Sequence, residues 1–170
     1  MKNNILFSLI VLLLFAQCNG MAQHMNNERL EDVLAQVSDT LVGKSGSWEF
    51  SVNGLPMMCI TDEVNNRMRI ITPVKEMKDV TRDEIADAME ANFHSALDVK
   101  YAVSNDLMWV AYIHPLKELS EEQLVSAVSQ VYYAHSTFGS TYTSSNLVFP
   151  GKGEKEQKSA EKGKKERSEI

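Results

Sequence analysis

Apolar residues along this chain change their period several times, and each change marks an element. Leu30, Val33, Leu34, Val37 and Leu41 recur at helical spacing behind Asn27, a residue suited to an N-cap, and Gly43 supplies a stop. Trp48, Phe50 and Val52 then alternate with Glu49, Ser51 and Asn53, the period of a half-buried strand, and Asn53-Gly54 is a strong hairpin signal. A second strand is expected over 55–61. After a polar turn at 62–67, in which Asn65-Asn66 tolerates left-handed backbone, a third strand over 68–72 is closed by Pro73.

The second half repeats the scheme. Thr81-Arg82-Asp83-Glu84 is a capping box, and Ile85, Ala88, Met89, Asn92, Phe93 and Ala96 follow on one helical face. A fourth strand is expected over 97–103, with Leu97, Val99, Tyr101 and Val103 on one side and Asp98 and Lys100 on the other. Ser104-Asn105-Asp106 turns it into a fifth, 107–113. His114-Pro115 ends that strand, because proline lacks the ladder donor and biases the residue before it toward extended geometry. His114 is thus a corner. A second capping box, Ser120-Glu121-Glu122-Gln123, opens a third helix carrying Leu124, Val125, Val128, Val131, Tyr132, His135 and Phe138 up to Gly139. The pattern predicts an α+β domain over 27–139: α-β-β-β-α-β-β-α, a five-stranded antiparallel sheet with helices packed on it.

Two of the expected strands are apolar on both faces, the second (Leu55, Met57, Met58, Cys59, Ile60) and the fifth (107–113). Three short helices cover one side of such a sheet well and the other only in part, which leaves an apolar patch for a second copy or a ligand. Met57, Met58, Met68 and Met108 suit adaptable contacts. On the fifth strand, Trp109 is the bulkier anchor, in register with Leu107 and Ile113, and is assigned to the core. Met57, Met108, Val110 and Tyr112 are then expected to form the partner-binding or dimer surface.

Composition sharpens the picture at both ends. Residues 1–22 read as a secretory signal: Lys2, an apolar run over 5–16, and the small-x-small site Gly20-Met21-Ala22. The run is shorter than the roughly 20 residues that span a bilayer. Cys18 follows the apolar segment as an acylated lipoprotein cysteine would, but Gln17 stands where a small residue is wanted, so cleavage before Gln23 is preferred. The expected location is periplasmic or secreted, without stable membrane insertion. Residues 151–170 hold seven Lys/Arg and five Asp/Glu, no aromatic and one terminal aliphatic, which predicts a disordered charged tail, with 140–150 a loop segment before it. Setting Lys2 and the tail aside leaves nine basic against eighteen acidic side chains. Such a body is a poor partner for nucleic acid.

Catalytic motifs fail on inspection. Gly43-Lys44-Ser45 has the end of a phosphate loop, but that loop's first glycine would fall on Ser38, within a helix. His24, His94, His114 and His135 are dispersed, and Cys59 is the mature chain's lone cysteine, so neither a metal set nor an intrachain disulfide is indicated. A Cys59–His94 nucleophile pair would have to be assembled by folding, and no glycine-flanked nucleophile serine is present. No enzyme and no cofactor are expected.

The element order, the hairpin WEFSVNGLPMMCI, the run MRIITPV and the stretch LMWVAYIHPLKELSEEQLVSAVSQVYYA together resemble the type III secretion chaperone-like fold, which includes the Tir-chaperone group and the YbjN-type sensory transduction regulator domains. The resemblance covers about residues 28–139. It implies a homodimer that holds an extended segment of another protein and performs no catalysis. Secretion chaperones act in the cytoplasm, whereas this chain carries an export signal, so only the fold and the peptide-holding surface are carried over. The expectation is an exported protein- or peptide-binding module. A small-ligand or lipid-binding envelope protein using the same apolar patch is the alternative, and a cryptic hydrolase ranks third.

Overall fold

The computed structural model describes residues 24–145. In chain order its elements are α1 (Asn27–Val37), β1 (Thr40–Lys44), β2 (Ser47–Val52), β3 (Leu55–Asp62), β4 (Arg67–Glu76), a single 3-10 turn (Met77–Asp79), α2 (Arg82–His94), β5 (Lys100–Ser104), β6 (Leu107–His114) and α3 (Glu121–Ser136). The strands make one antiparallel sheet in the order β1-β2-β3-β4-β6-β5. The α+β class and element order are as expected, with six strands in place of five. The expected signal (1–22), the expected tail (151–170) and residues 146–150 lie outside the described residues.

The extra strand comes from a shorter first helix. Ser38 adopts an extended conformation at the C-cap, where its hydroxyl donates to Leu34 O at 2.7 Å, and the chain leaves α1 there. Leu41 fits either reading of the pattern: it stands four residues after Val37, and on β1 it lies opposite Phe50. Gly43 is no helix stop but a strand residue at φ +146°, where an added Cβ would meet Ser47 O at 2.4 Å. The N-cap is Asn26, whose side chain accepts from Arg29 N. Asn27 instead joins Ser45 Oγ at 2.9 Å and accepts from Thr61 Oγ1, which ties the start of α1 to the sheet.

Turn chemistry behaves as its residues dictate. Asn53-Gly54 and Asn105-Asp106 each place two successive residues at positive φ, the geometry that matches a hairpin to the strands' twist. Pro73, however, does not end β4. The strand continues to Glu76, and the register shifts between Pro73 and Lys75, a bulge that accommodates the missing donor.

All three helices contribute to one core on one face of the sheet. Leu30 and Leu34 of α1, Ala88 and Ala91 of α2, and Leu124, Ala127, Val128, Val131 and Ala134 of α3 are buried with Trp48, Phe50, Met57, Cys59, Met68 and Ile70. Tyr101 belongs to this core and satisfies its hydroxyl on Ala134 O at 2.8 Å. The packed unit also reaches past 27–139 at both ends, since Met25, Tyr142 and Ser144 are buried. Both capping boxes form as expected, at Thr81/Glu84 and Ser120/Gln123. Helix α2 is rotated from the expected face: Ala88 and Ala91 point inward, while Met89 and Phe93 point outward. Asn92 fixes that rotation. Its side chain accepts from Tyr101 N at 2.7 Å and donates to Tyr101 O at 3.1 Å, occupying backbone groups on the outer edge of β5.

Candidate protein-binding surface

The residues expected to meet a partner are in the core. Met57, Met108, Val110 and Tyr112 are all at most 4% exposed, and Trp109, expected inside, lies on the opposite face and is half-buried. The alternation along β6 is as read, but its sign is reversed. Cross-strand neighbours decide the sign: Val110 pairs with Thr72 and Tyr101, and Tyr112 pairs with Ile70, all of which face the helices. Side-chain bulk does not decide it, because Trp109 Nε1 finds its acceptor, Ser104 O at 3.0 Å, on the outer side.

The face away from the helices is built from the other parity of each strand. Its central row runs Glu49, Met58, Ile71, Ala111, Lys100 across β2, β3, β4, β6 and β5. A second row runs Ser47, Ile60, Arg69, Ile113, and a third Pro73, Trp109, Ala102. Met58, Ile60, Ile71, Trp109 and Ala111 are half-buried by their neighbours within the sheet, and Ile113 is exposed. The face is therefore a shallow apolar surface, with Glu49 and Lys100 at the two ends of its central row and Arg69 beside it. Strands β1 and β5 form its edges, and β1 is short, with Val42 exposed on this same face.

A half-open cleft of about 390 Å³ adjoins this surface at the β5–β6–α3 corner, lined by Leu97, Asp98, Tyr112, Ile113, His114 and Gln130 among others. Gln130 bridges Asp98 there, accepting from Asp98 N at 3.1 Å and donating to Asp98 Oδ2 at 3.0 Å. Burial, and secondarily the charge of Asp98, pushes the Tyr112 phenol up. Tyr112 stacks on His114, whose Nδ1 lies 2.8 Å from Pro115 O. His114 is a corner residue, as its sequence context implies.

The chemistry available to the candidate nucleophile is poor. Cys59 is fully buried in the middle of β3, and burial pushes its thiol up to about 12. A thiolate is thus suppressed at neutral pH. His94 is exposed at the end of α2, in edge contact with Phe93. Among the described residues, no group of three His, Cys, Asp or Glu is placed to hold a metal ion, and no helix is long and apolar enough to cross a membrane.

No family model matches the chain, and no curated protein does. Among solved structures, the chain is similar to one in the HopA1–SchA chaperone–effector complex, at 15% identity and a TM-score of 0.51, over 64% of this chain and 88% of that one. With the antiparallel sheet, its helices on one face and this likeness, the protein has a secretion-chaperone-like α+β fold.

Proposed function

We propose that this protein is an exported, non-enzymatic, chaperone-like module that holds an extended segment of another protein against the open face of its sheet. The observation that carries the proposal is that face itself. Met58, Ile60, Ile71, Trp109, Ala111 and Ile113 form a continuous apolar surface on which, among the described residues, no helix packs. An uncovered apolar face of this extent on a small domain is a feature of interaction sites. Its shallow relief and the short β1 edge suit a strand-like peptide, bound by side chains on the face and backbone at the edge. The structural neighbour comes from a complex of a chaperone with its effector, which supports protein binding by this fold. The buried, protonated Cys59 offers no competing nucleophile.

The homodimer implied by the family resemblance is assigned to α2, whose Met89 and Phe93 project outward. Export rests on residues 1–22. Each part has its own test. Affinity capture from the native host should recover a defined partner with the wild-type protein and lose it with Ile71→Asp/Ile113→Asp. Equal recovery by both removes the open face as the binding surface. N-terminal mass mapping should place the mature start at Gln23, and an acylated Cys18 would overturn that site. Light scattering should show a dimer that Phe93→Asp dissociates.

The half-open cleft favours a second reading, a small-ligand or lipid-binding envelope protein, because Tyr112 and Asp98 place polar groups beside apolar Leu97 and Ile113. Native mass spectrometry of the purified protein distinguishes the two, since a co-purifying small molecule is expected only of the second.

A further inference from the structure

Strand β5 begins at Lys100, opposite Ala111, while β6 runs on through Tyr112 and Ile113 to His114. The half-open cleft lies along the stretch of β6 that β5 leaves unpaired. Tyr101 sets the hydrogen-bonding phase of the two strands, since its N–H and carbonyl both face outward to the Asn92 side chain. Lys100 and Ala111 therefore direct their backbone groups at each other, and at period two the next residue of β6 to face that way is Ile113. A strand continued backward from Lys100 would offer Asp98 as its partner. Asp98 N donates instead to Gln130 Oε1 at 3.1 Å, so Ile113 turns its N–H and carbonyl to the cleft.

Two side chains of the cleft are also incompletely partnered. The Tyr112 hydroxyl has no hydrogen-bond partner among the described residues, although Tyr112 is only 4% exposed and lines the cleft. Polar groups buried to this degree are normally met by a partner. Asp98 makes no ion pair among the described residues: the buried Gln130 donates to its Oδ2 at 3.0 Å, and its other oxygen is open. Lys100, the cationic side chain of the lining, donates its ammonium to Leu97 O and Asn92 O. The open groups are thus mainly acceptors, a carboxylate oxygen, a phenol oxygen and a backbone carbonyl, beside apolar Leu97 and Ile113. A guanidinium matches them, because it presents five donors in a planar fork, no acceptor, and an apolar stem. The acidic balance of the folded body favours the same sign of ligand.

We propose that this cleft is a specificity pocket for an arginine side chain carried by the extended segment that lies on the open face. The guanidinium meets Asp98 and the Tyr112 hydroxyl, and the backbone of the segment meets Ile113, which belongs to both the cleft and the open face. This rests on the reading of the open face as the peptide surface, and it adds a chemical requirement: the segment carries a basic residue where it crosses the β5–β6 edge.

Fluorescence anisotropy on the whole protein tests this with short synthetic peptides of alternating Val and Thr that hold Arg, citrulline or Glu at the centre. Citrulline keeps the shape of arginine and removes its charge. The wild type should bind the Arg peptide roughly tenfold more tightly than the citrulline peptide, the size of one charge-assisted hydrogen bond. Asp98→Asn, which keeps an oxygen for Gln130, should abolish that preference. Tyr112→Phe should reduce it several-fold without lowering the melting temperature, since the hydroxyl it removes bonds nothing in the free protein. Ile71→Asp should weaken all three peptides alike and leave the preference intact. Equal binding of the Arg and citrulline peptides, with both weakened by Ile71→Asp, overturns the pocket and keeps the open face. A preference for Glu, or an arginine preference that survives Asp98→Asn, also overturns the pocket. Failure of every peptide to bind overturns both readings.

Discussion

Val110 and Ile113 stand three residues apart on β6, yet Val110 is fully buried and Ile113 is 63% exposed. Both are β-branched aliphatics of one apolar run, so hydrophobicity does not separate them. Parity does: one lies under α3 and the other on the side of the sheet away from the described helices. The same contrast holds across the molecule, where Trp48, Met57, Ile70 and Tyr112 are buried on the helix side and Met58, Ile71 and Trp109 are half-buried on the other. A sheet whose two faces are equally apolar but unequally covered carries its stability on one side and its capacity for association on the other.

The sharpest way to break that contrast is to charge both sides. Val110→Asp should destabilise the fold by about 3–5 kcal/mol, the cost of an unpaired carboxylate among apolar side chains. Ile113→Asp should stay within about 0.5 kcal/mol, as exposed substitutions usually do. Thermal and denaturant melts of the two variants check this. Similar losses would mean that the outer face is covered too. Trp109→Ala belongs to the outer set: a large loss of stability, comparable to the roughly 3–5 kcal/mol of a core tryptophan, would place Trp109 in the core after all. Its expected effect is on partner capture.

Much of the fold is legible in the sequence because local chemistry fixes it. The two capping boxes, the Asn-Gly and Asn-Asp turns and the alternation of β2 and β6 all act within a few residues, and all form as read. What was not legible depends on neighbours distant in the chain. Leu41 satisfies a helix and a strand equally until Phe50 is placed beside it. Pro73 ends a strand by its missing donor unless a bulge absorbs it. The sign of β6 depends on its pairing with β4 and β5, which no local pattern states. A signal was present nonetheless. Glu49, Arg67, Arg69 and Lys100 mark the solvent parity of their strands, and following that parity across the sheet leads to Met58, Ile71, Ala111 and Ile113. The outward set of α2 was hidden for a related reason, since Asn92 turns the helix by bonding the edge of β5.

A smaller effect is expected at the junction between α2 and β5. Leu97 sits at φ +50°, a left-handed conformation that suits glycine or asparagine just past a helix. Lys100 Nζ helps to hold it by donating to Leu97 O at 2.6 Å and Asn92 O at 3.0 Å. Because the Leu97 side chain is exposed, little packing is lost by removing it. Leu97→Gly should therefore raise stability by about 1 kcal/mol. A fall in melting temperature would show that Leu97 is packed more firmly than its exposure indicates. Strain retained at an exposed apolar residue is what an interaction surface would explain.

The mildest probe reads the sealed side through its titration. His135 lies half-buried on α3, and burial holds its imidazole below the ordinary value of 6.5, against a weaker opposing contribution from a hydrogen bond to the Pro73 backbone. A histidine depressed in the native state binds its proton more readily when unfolded, so stability rises with pH through this window. The contribution of the neutral ring is complete above pH 6.5 and is lost as the pH falls toward the lower folded value. Glu84, held down first by the Thr81 backbone N–H and then by Lys75, acts in the same direction but below its ordinary value of 4.5, in a separate range. The melting temperature of the wild type should therefore fall modestly between pH 7 and pH 5, and His135→Gln should flatten that segment of the curve without changing the steeper loss below pH 4.5. An unchanged slope in His135→Gln would show that the imidazole reaches solvent freely, and that α3 seals its edge of the core less completely than the buried Val131 and Ala134 beside it.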